Sequence, residues 1–294
     1  MNDFIFQNPA RIIFGRDALT HLPQELAHYG QSVLLVTGGQ SAKRIGLYDQ
    51  VMTLLAECGK TVHELGGIVP NPRLSRVREG IALCREHGVR LVLALGGGSV
   101  IDTAKAICTG TPYEGDVWDF YLGKAQPKQR LPLGTLVTLP AAGSEMSFSC
   151  VITNEEGQLK RGYNSPLHVP DFSLLNPEWS FTLPPFQTAC GCVDIIAHMM
   201  ERYFAPTRHV EVTDGMLAAN IQTVLRNAPL VMACPSDYDA RAEIMWAGTL
   251  AHNGLLNTGR EGDWATHKLE HELSGLYDIA HAAGLSNLFP AGML

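Results

Sequence analysis

The sequence predicts an α/β domain, built on a doubly wound parallel sheet, that is followed by an all-helical domain. Two observations lead to this prediction. Residues 1–182 alternate short apolar runs with helical stretches, whereas residues 183–294 show helical patterns with few β-branched runs. Alternating strands and helices are typical of a parallel sheet that carries helices on both faces. We therefore place the domain boundary after residue 182, next to the Pro184-Pro185 pair.

The first predicted elements are strands and helices in alternation. Branched residues predict a buried strand over Val33–Thr37, and a helix with one apolar side follows over Gly46–Cys58. Thr61–Leu65 predicts a second strand, and Ser75–His87 predicts the next helix. Leu91–Leu95 is apolar throughout, as is usual for a strand that is buried on both faces.

The remaining elements complete the two domains. Leu136–Leu139 predicts a further buried strand in the first domain. The second domain is expected to contain four helices, over Phe186–Tyr203, Val210–Arg226, Asp239–His252 and Trp264–Ser274.

A glycine-rich turn in the first domain is a candidate phosphate site. Gly96–Gly98 follows a predicted buried strand and opens a helix that begins near Ser99. Three glycines let the backbone approach a pyrophosphate, and the free N–H groups at a helix start can then bind it. The same pattern also fits a tight strand-to-helix turn without a ligand. Gly38-Gly39 follows the first strand and could line the same crevice.

Histidines and one aspartate in the second domain form a candidate metal site. Asp194 and His198 are four residues apart on a predicted helix, so their side chains share one face. His267 and His271 repeat this spacing, and His281 follows a short break. Imidazoles combined with a carboxylate suit a divalent transition metal such as Fe²⁺ or Zn²⁺, and the ligand types do not separate the two.

The net charge and composition of the chain limit the classes of partner it is expected to bind. The chain of 294 residues is 46% hydrophobic and has a formal charge of −7, which argues against nucleic acid or an anionic membrane as its main partner. Apolar runs stay well short of the ~20 residues that span a membrane. The seven cysteines are scattered and lack paired spacing, so we expect reduced thiols in the cytoplasm.

Taken in order, these features resemble the iron-containing (group III) alcohol dehydrogenase family. The similarity is greatest to the branch of NADP-dependent butanol dehydrogenases and broad-range aldehyde reductases. It runs the whole length of the chain and rests on these motifs: Asn8–Gly15, Pro70–Pro72, Gly96–Ser99 with Asp102 and Lys105, Thr138–Glu145, Asp194 with His198, Gly262–His267, Glu270–Ser274 and His281–Leu285.

The resemblance implies a Rossmann-like first domain within a dehydroquinate synthase-like architecture. It further implies a metal-dependent oxidoreductase that transfers a hydride between NADP(H) and a small primary alcohol or aldehyde, with the metal polarising the substrate oxygen. The implied metal ligands are Asp194, His198, His267 and His281. His271 corresponds to a catalytic histidine near the nicotinamide. The implied nucleotide contacts are Gly38, Gly39, Ser41, Asn71, Gly97, Gly98, Ser99, Asp102, Thr138, Ser144 and Lys160.

Coenzyme preference and assembly are also implied by the family. NAD-preferring relatives place an acidic residue near the position of Gly39, and this chain has Ser41, Lys43 and Arg44 close by instead. We therefore expect NADP(H), with NAD as the alternative. The family suggests a homodimer. It also continues with further helices after the position that corresponds to Leu294, so the second domain is expected to be incomplete.

Three alternatives remain open on the sequence. His267 to His271 also matches H-x-x-E-H, a zinc-peptidase signature in which Glu270 would be the general base. The glycerol-dehydrogenase and dehydroquinate-synthase relatives share the fold and act on polyols or sugar acids. An inactive, truncated remnant of the dehydrogenase is the third alternative.

Overall fold

The computed structural model describes residues 1–292, which form eight strands and eleven α-helices. The strands are β1 Arg11–Phe14, β2 Ser32–Thr37, β3 Thr61–Leu65, β4 Leu91–Gly96, β5 Leu133–Val137, β6 Ser149–Asn154, β7 Leu159–Asn164 and β8 Phe172–Leu175. The helices are α1 Leu22–Leu26, α2 Ser41–Arg44, α3 Leu47–Glu57, α4 Leu74–Glu86, α5 Gly98–Gly110, α6 Trp118–Tyr121, α7 Pro185–Tyr203, α8 Glu211–Ala233, α9 Tyr238–His252, α10 Ala265–Tyr277 and α11 His281–Gly292.

Six of the strands form one parallel sheet in the order β1-β8-β5-β4-β2-β3. The chain leaves β2 towards β3 on one side and then crosses to β4 on the other side. This reversal creates a crevice at the carboxyl ends of β2 and β4, the place where parallel sheets of this kind bind ligands. The prediction of a doubly wound α/β domain is therefore confirmed.

The central strands are buried on both faces of the sheet. Residues of β2 alternate between two apolar clusters, because successive side chains of a strand point to opposite faces. Leu34 and Val36 belong to one cluster, whereas Val33 and Leu35 belong to the other. β4 divides in the same way, and this explains why its sequence is apolar throughout.

The helical region begins with α7 and has its own apolar core. α7 packs against α8, α9 and α11, and its Ile195 and Met199 are fully buried with Leu217 of α8 and Ile244 of α9. Between β8 and residue 292 the structure contains helices and no strand, so the prediction of an all-helical second part is confirmed. The boundary after residue 182 stays a prediction, and residues 293 and 294 of the predicted second domain lie outside the described residues. Among residues 1–292, no helix has the length and apolar character that crossing a bilayer requires.

Several predicted elements differ from the structure. The strand predicted over Leu136–Leu139 is β5, which begins at Leu133 and ends at Val137. After Val137, the Thr138 N–H still donates to the Gly96 oxygen, and Pro140, which has no N–H for a strand ladder, lies two residues further on. The antiparallel hairpin of β6 and β7 was not predicted. α8 continues past Pro229 to Ala233, beyond the predicted end at Arg226.

Candidate functional site

Three helices bring the predicted metal ligands together. Asp194 on α7, His267 on α10 and His281 at the start of α11 each present one ligand atom within 4.8 Å of the others. Asp194 and His267 are buried, and the His281 side chain is 26% exposed. A carboxylate and two imidazoles from three separate helices thus surround one point.

His198 lies beside this group. It is one helical turn after Asp194, and its Nδ1 donates a hydrogen bond of 2.8 Å to the Asp194 backbone oxygen. Its ring centroid is 4.8 Å from that of His267. The ligand atoms within 4.8 Å of one another do not include one from His198 in the described residues. His198 therefore lies next to the group. Because its Nδ1 is engaged, Nε2 is the ring nitrogen that could bind a metal.

Two orphaned polar atoms test whether this group fits a metal. Asp194 Oδ1 and His267 Nε2 are buried, and neither has a hydrogen-bond partner within the described residues. Leaving such atoms unpaired in the interior costs roughly 1–3 kcal/mol each. A divalent cation placed between them would satisfy both. The donor set of nitrogen and carboxylate oxygen is also one that Fe²⁺ and Zn²⁺ accept, so the residues fit the group that the sequence predicts.

Protonation states in the cluster follow from burial. Burial raises the pKa of Asp194 to about 7, although the Lys160 ammonium opposes the rise. Burial also holds the pKa values of His198 and His281 well below their usual range, and neighbouring cationic groups lower them further. The imidazoles of His198 and His281 are therefore neutral, which is the form that binds a metal.

A second group of possible ligands is already occupied by a cation. Glu270, His271 and His281 also offer ligand atoms within 4.8 Å of one another. However, Lys160 Nζ lies 3.3 Å from both Glu270 Oε2 and His281 Nδ1. An ammonium thus stands where a metal ion would bind, so this second group does not fit a metal. The other Glu270 oxygen accepts a hydrogen bond from Ser274.

These contacts also bear on the peptidase alternative. In the H-x-x-E-H reading, Glu270 would activate a water molecule as a general base. Both Glu270 oxygens instead accept hydrogen bonds from protein groups, and the side chain is fully buried. The geometry therefore argues against that reading.

The glycine-rich turn lies in the crevice of the sheet. Gly97 caps α5, whose N-terminus faces the carboxyl ends of the strands. A Cβ on Gly96 would lie 2.5 Å from Val100 Cγ2, and one on Gly97 would lie 3.1 Å from Leu139 Cβ. Glycine is thus required for close packing, and the absent side chains also leave room for backbone approach to a phosphate.

The loops after β2 and β5 meet this turn. A Cβ on Gly38 would lie 3.3 Å from Val100 Cγ2, whereas the position of a Cβ on Gly39 has no neighbour within 4 Å. Thr138 is buried, and its N–H donates to the Gly96 oxygen at 3.0 Å. Ser41 is exposed as the first residue of α2. The structure therefore brings these predicted nucleotide contacts to one edge of the sheet.

Other predicted nucleotide contacts form hydrogen bonds with groups of the protein itself. Ser144 Oγ donates to Asp102 Oδ1 at 2.6 Å, and the Val151 N–H donates to Asp102 Oδ2 at 2.8 Å. Asn71, at a left-handed φ of 53°, donates to Asp278 Oδ1 and to the Ile279 backbone oxygen. Ser99 remains half-buried at the first turn of α5.

The Asn71 contacts join the two candidate sites. Asp278 and Ile279 lie between α10 and α11, immediately before His281, whereas Asn71 lies in the loop after β3. Lys160, predicted as a nucleotide contact, lies on β7 against Glu270 and His281. A nucleotide bound in the crevice would therefore approach the group around Asp194.

Several residues that support the cluster were not assigned this role from the sequence. Glu201 and Glu270 accept hydrogen bonds from the rings of His267 and His281. Arg202 is fully buried, donates to the His198 backbone oxygen and lies 4.5 Å over the Trp264 ring. Glu201 is three residues after His198, a spacing that shares its helix face, and this was the available signal.

Comparisons with known proteins identify the family. Residues 9–177 match the family described as "Iron-containing alcohol dehydrogenase", and residues 188–294 match "Fe-containing alcohol dehydrogenase family, C-terminal". The chain is 48% identical over 293 residues to "Probable NADH-dependent butanol dehydrogenase 1" of Bacillus subtilis, covering 100% of the chain and 76% of that relative. It is 37% identical over 294 residues to "NADPH-dependent aldehyde reductase YqhD" of Escherichia coli, covering 99% of the chain and 75% of that relative.

Solved structures agree with this assignment. The crystal structure of NADH-dependent butanol dehydrogenase A from Thermotoga maritima superposes with a TM-score of 0.97 at 42% identity, covering 100% of the chain and 74% of that structure. The E. coli YqhD structure superposes with a TM-score of 0.94 at 36% identity, covering 99% of the chain and 74% of that structure. The resemblance noted in the sequence is confirmed: the chain belongs to the iron-containing alcohol dehydrogenase family and is an NAD(P)-dependent oxidoreductase.

Proposed function

We propose that this enzyme transfers a hydride between NADP(H) and a small primary alcohol or aldehyde, at a site that holds Fe²⁺ or Zn²⁺. The observation that carries the proposal is a pair of buried atoms, Asp194 Oδ1 and His267 Nε2, that lack hydrogen-bond partners among the described residues. Asp194 and His267 belong to the same cluster of possible ligands. Two buried polar atoms without partners are costly unless a cation joins them.

Asp194, His198, His267 and His281 would hold the metal. When bound, the metal would supply a Lewis acid that polarises the substrate oxygen, and the nicotinamide would carry the hydride. Gly97, the Gly98 N–H and Ser99 at the start of α5 would bind the pyrophosphate, with Gly38 and Gly39 along the other wall of the crevice. The further contacts proposed for the nucleotide are Ser41, Asn71, Asp102, Thr138, Ser144 and Lys160.

His271 is proposed to carry a proton between the reacting oxygen and solvent. It is half-buried, and its ring centroid lies 5.5 Å from that of His281. Burial and the neighbouring Lys160 cation hold its pKa well below the usual range, so the ring is neutral at rest and would hold a proton only transiently. Its partial exposure next to His281 supports this role.

The loop after β2 is proposed to select NADP(H). Gly39 leaves open space where an acidic side chain would repel a 2′-phosphate, and Ser41, Lys43 and Arg44 follow it. The relatives themselves differ: the B. subtilis enzyme is named for NADH and the E. coli enzyme for NADPH. The loop chemistry is therefore the support for NADP(H).

Replacing Gly39 with Asp tests this preference. The added carboxylate meets no steric obstacle, so the expected change is electrostatic. We expect the ratio of kcat/KM for NADPH over NADH to fall by roughly 10- to 100-fold, the equivalent of ~1–3 kcal/mol. Gly39→Ala is the matched control, since it adds a Cβ without charge and should leave the ratio near that of the wild type. An unchanged ratio in Gly39→Asp would mean that the loop does not approach the 2′-phosphate.

The activity itself is tested by coenzyme oxidation with short-chain aldehydes. Metal-loaded protein should oxidise NADPH with butanal or a related aldehyde, and removal of the metal by a chelator should abolish turnover. Asp194→Asn should lose both metal and turnover. Turnover that survives complete metal removal would refute the metal-dependent mechanism. Oxidation of glycerol in preference to short primary alcohols would instead indicate the polyol-dehydrogenase alternative.

Assembly and compartment are proposed together as a cytoplasmic homodimer. The cysteines of the described chain are all free thiols, which supports a reducing compartment. Phe4, Ile5 and Phe6 are exposed at the amino terminus, and Ile5 is 99% exposed. An apolar segment of this kind is a candidate contact between copies. Light scattering coupled to gel filtration would detect the dimer, and a monomer at micromolar concentration would contradict it.

A further inference from the structure

The three histidines among the proposed ligands, His198, His267 and His281, share a pattern of hydrogen bonding. In each ring, Nδ1 is engaged by an oxygen atom of the protein. His198 Nδ1 donates to the Asp194 backbone oxygen, His267 Nδ1 to Glu201 Oε1, and His281 Nδ1 to Glu270 Oε2. A neutral imidazole that donates from Nδ1 keeps the lone pair on Nε2. His198 and His267 are thus held in the tautomer that leaves Nε2 free. At His281, Lys160 Nζ also lies 3.3 Å from Nδ1, but the contact of Nδ1 with the Glu270 carboxylate is the shorter of the two and selects the same tautomer.

We propose that Glu201 and Glu270 are positioning residues that orient His267 and His281 and increase the affinity of the site for its metal. This inference rests on the metal centre of the proposed function. It goes beyond that function because neither glutamate is a proposed ligand; Glu201 was not singled out in the sequence, and Glu270 was considered only as the base of the peptidase alternative.

Glu201 connects the two helices that supply the first three ligands. It lies on α7, one turn after His198, and its side chain is 3% exposed. A single oxygen, Oε1, accepts hydrogen bonds from the His267 ring at 2.7 Å and from the His267 backbone N–H at 2.9 Å. This double contact fixes both the rotation of the ring and the position of the first turn of α10. The His267 Nε2 atom is thereby left buried, with no hydrogen-bond partner among residues 1–292.

Glu270 fixes the ring of His281 from the opposite direction. It lies on α10 and is fully buried, with Lys160 Nζ at 3.3 Å to balance its charge. Ser274 donates to its second oxygen, so the carboxylate has one orientation. Gly284 on α11 permits the close approach, because a Cβ there would lie 2.8 Å from Glu270 Cγ. Glycine at position 284 therefore allows α11 to pack close enough to α10 for His281 to contact this carboxylate.

The physical role of such carboxylates is known from other metal sites. A hydrogen bond from the distal ring nitrogen to a carboxylate selects the tautomer, restrains the ring and raises its basicity. Loss of such a partner typically weakens metal binding about 10- to 100-fold. Both glutamates are buried here, so the contacts are protected from competition by water.

Cobalt(II) titration of the purified chain tests the proposal, because the visible d–d spectrum reports ligand geometry as well as occupancy. Glu201→Gln and Glu270→Gln preserve side-chain volume, remove the negative charge and replace one acceptor oxygen with an NH₂ donor. Each should bind Co²⁺ about 10- to 100-fold more weakly than the wild type and show an altered spectrum. Glu145→Gln is the matched control: Glu145 is equally buried, but its partner is Thr249 rather than a histidine. Its Co²⁺ affinity and spectrum should be those of the wild type.

The outcomes separate this inference from the proposed function. Wild-type affinity and spectrum in both glutamine variants would overturn the positioning role while leaving the metal centre intact. Failure of the wild-type chain to bind Co²⁺ would overturn the metal centre itself. Glu270→Gln leaves the Lys160 cation unpaired, so a version combined with Lys160→Met keeps the test valid if the single variant does not fold. Glu201→Gln alone decides the proposal if neither of these folds.

Discussion

Gly191→Ala is a sensitive test of how α7, the helix that carries the proposed ligands Asp194 and His198, packs against the loop after β5. Gly191 is buried on α7, three residues before Asp194, and an added Cβ would lie 2.4 Å from the backbone oxygen of Pro140. Real Cβ atoms essentially never approach closer than 3.0 Å, so the helix and the loop after β5 must separate by roughly 0.6 Å. The obstacle is backbone rather than a flexible side chain, so rotation of a side chain cannot relieve it.

Two opposing effects set the magnitude. Alanine is favoured over glycine inside a helix by ~1 kcal/mol. Overpacking of a rigid contact costs ~1–3 kcal/mol and here lies near the upper limit, because backbone must move. We expect a net loss of about 1–2 kcal/mol in the free energy of unfolding. A displacement of this size also exceeds the ~0.5 Å within which a functional constellation must be held, so the metal affinity should fall as well.

Urea denaturation and metal titration together provide the assay. Gly215→Ala is the matched control, since Gly215 is an exposed glycine of α8 whose added Cβ would have no neighbour within 4 Å. That variant should gain about 0.5–1 kcal/mol and bind metal normally. If Gly191→Ala is as stable as Gly215→Ala and retains wild-type metal affinity, the inferred seating of α7 on the loop after β5 is wrong.

Three further predictions follow from the structure. Burial, aided by the Lys105 cation, lowers the pKa of His168 from 6.5 to about 3. The free energy of unfolding should therefore be greatest above pH 6.5 and should decline as the pH falls towards 3. The loss should reach about 2 kcal/mol at pH 5, and His168→Gln should flatten this slope in urea titrations, whereas a change at the exposed His209 should not. Asn71→Ala removes two hydrogen bonds at a left-handed φ and should cost ~1–3 kcal/mol, more than Asn71→Gly; equal losses would refute the backbone argument. Zn²⁺ at 100 times its Kd should raise the free energy of unfolding by about 2.7 kcal/mol, and an equal gain in Asp194→Asn would contradict the assigned ligand.

Local sequence patterns predicted much of the first domain. The strand over Thr61–Leu65 has the predicted bounds, and the helix predicted over Ser75–His87 is shifted by a single residue. The helix has strong periodicity because one of its faces is buried, with Leu74, Val77 and Ile81 in the core. The hairpin of β6 and β7 was missed because its strands are mixed in polarity, with Lys160 and Arg161 on the second strand. The burial of Lys160 depends on Glu270, which is 110 residues away in the sequence.

The candidate site was less accessible to sequence reasoning than the fold. The i, i+4 spacing of Asp194 and His198 predicted a shared helix face, but spacing does not determine how far His198 stands from His281. The family resemblance supplied the grouping across three helices. The mutual hydrogen bonding of Asp102 and Ser144 is a tertiary contact that local patterns do not encode.

The supporting glutamates illustrate the same limit. Glu201 could be placed near His198 by helical spacing, yet its partner His267 lies 66 residues further on. From the sequence, Glu270 could be a general base, because the H-x-x-E-H spacing does not show that Lys160 and Ser274 contact its carboxylate. Only the packing of α10 against β7 and α11 reveals that both carboxylate oxygens are engaged.

The central claim is that one divalent metal binds among α7, α10 and α11. It is tested most directly by an anomalous-difference map from crystals grown anaerobically with Fe²⁺, or with Zn²⁺, recorded at the absorption edge of that metal. We expect a single peak about 2.0–2.2 Å from ligand atoms of Asp194, His198, His267 and His281. A metal peak beside Glu270 and His271, or no peak among the four ligands in crystals grown with saturating metal, would contradict it.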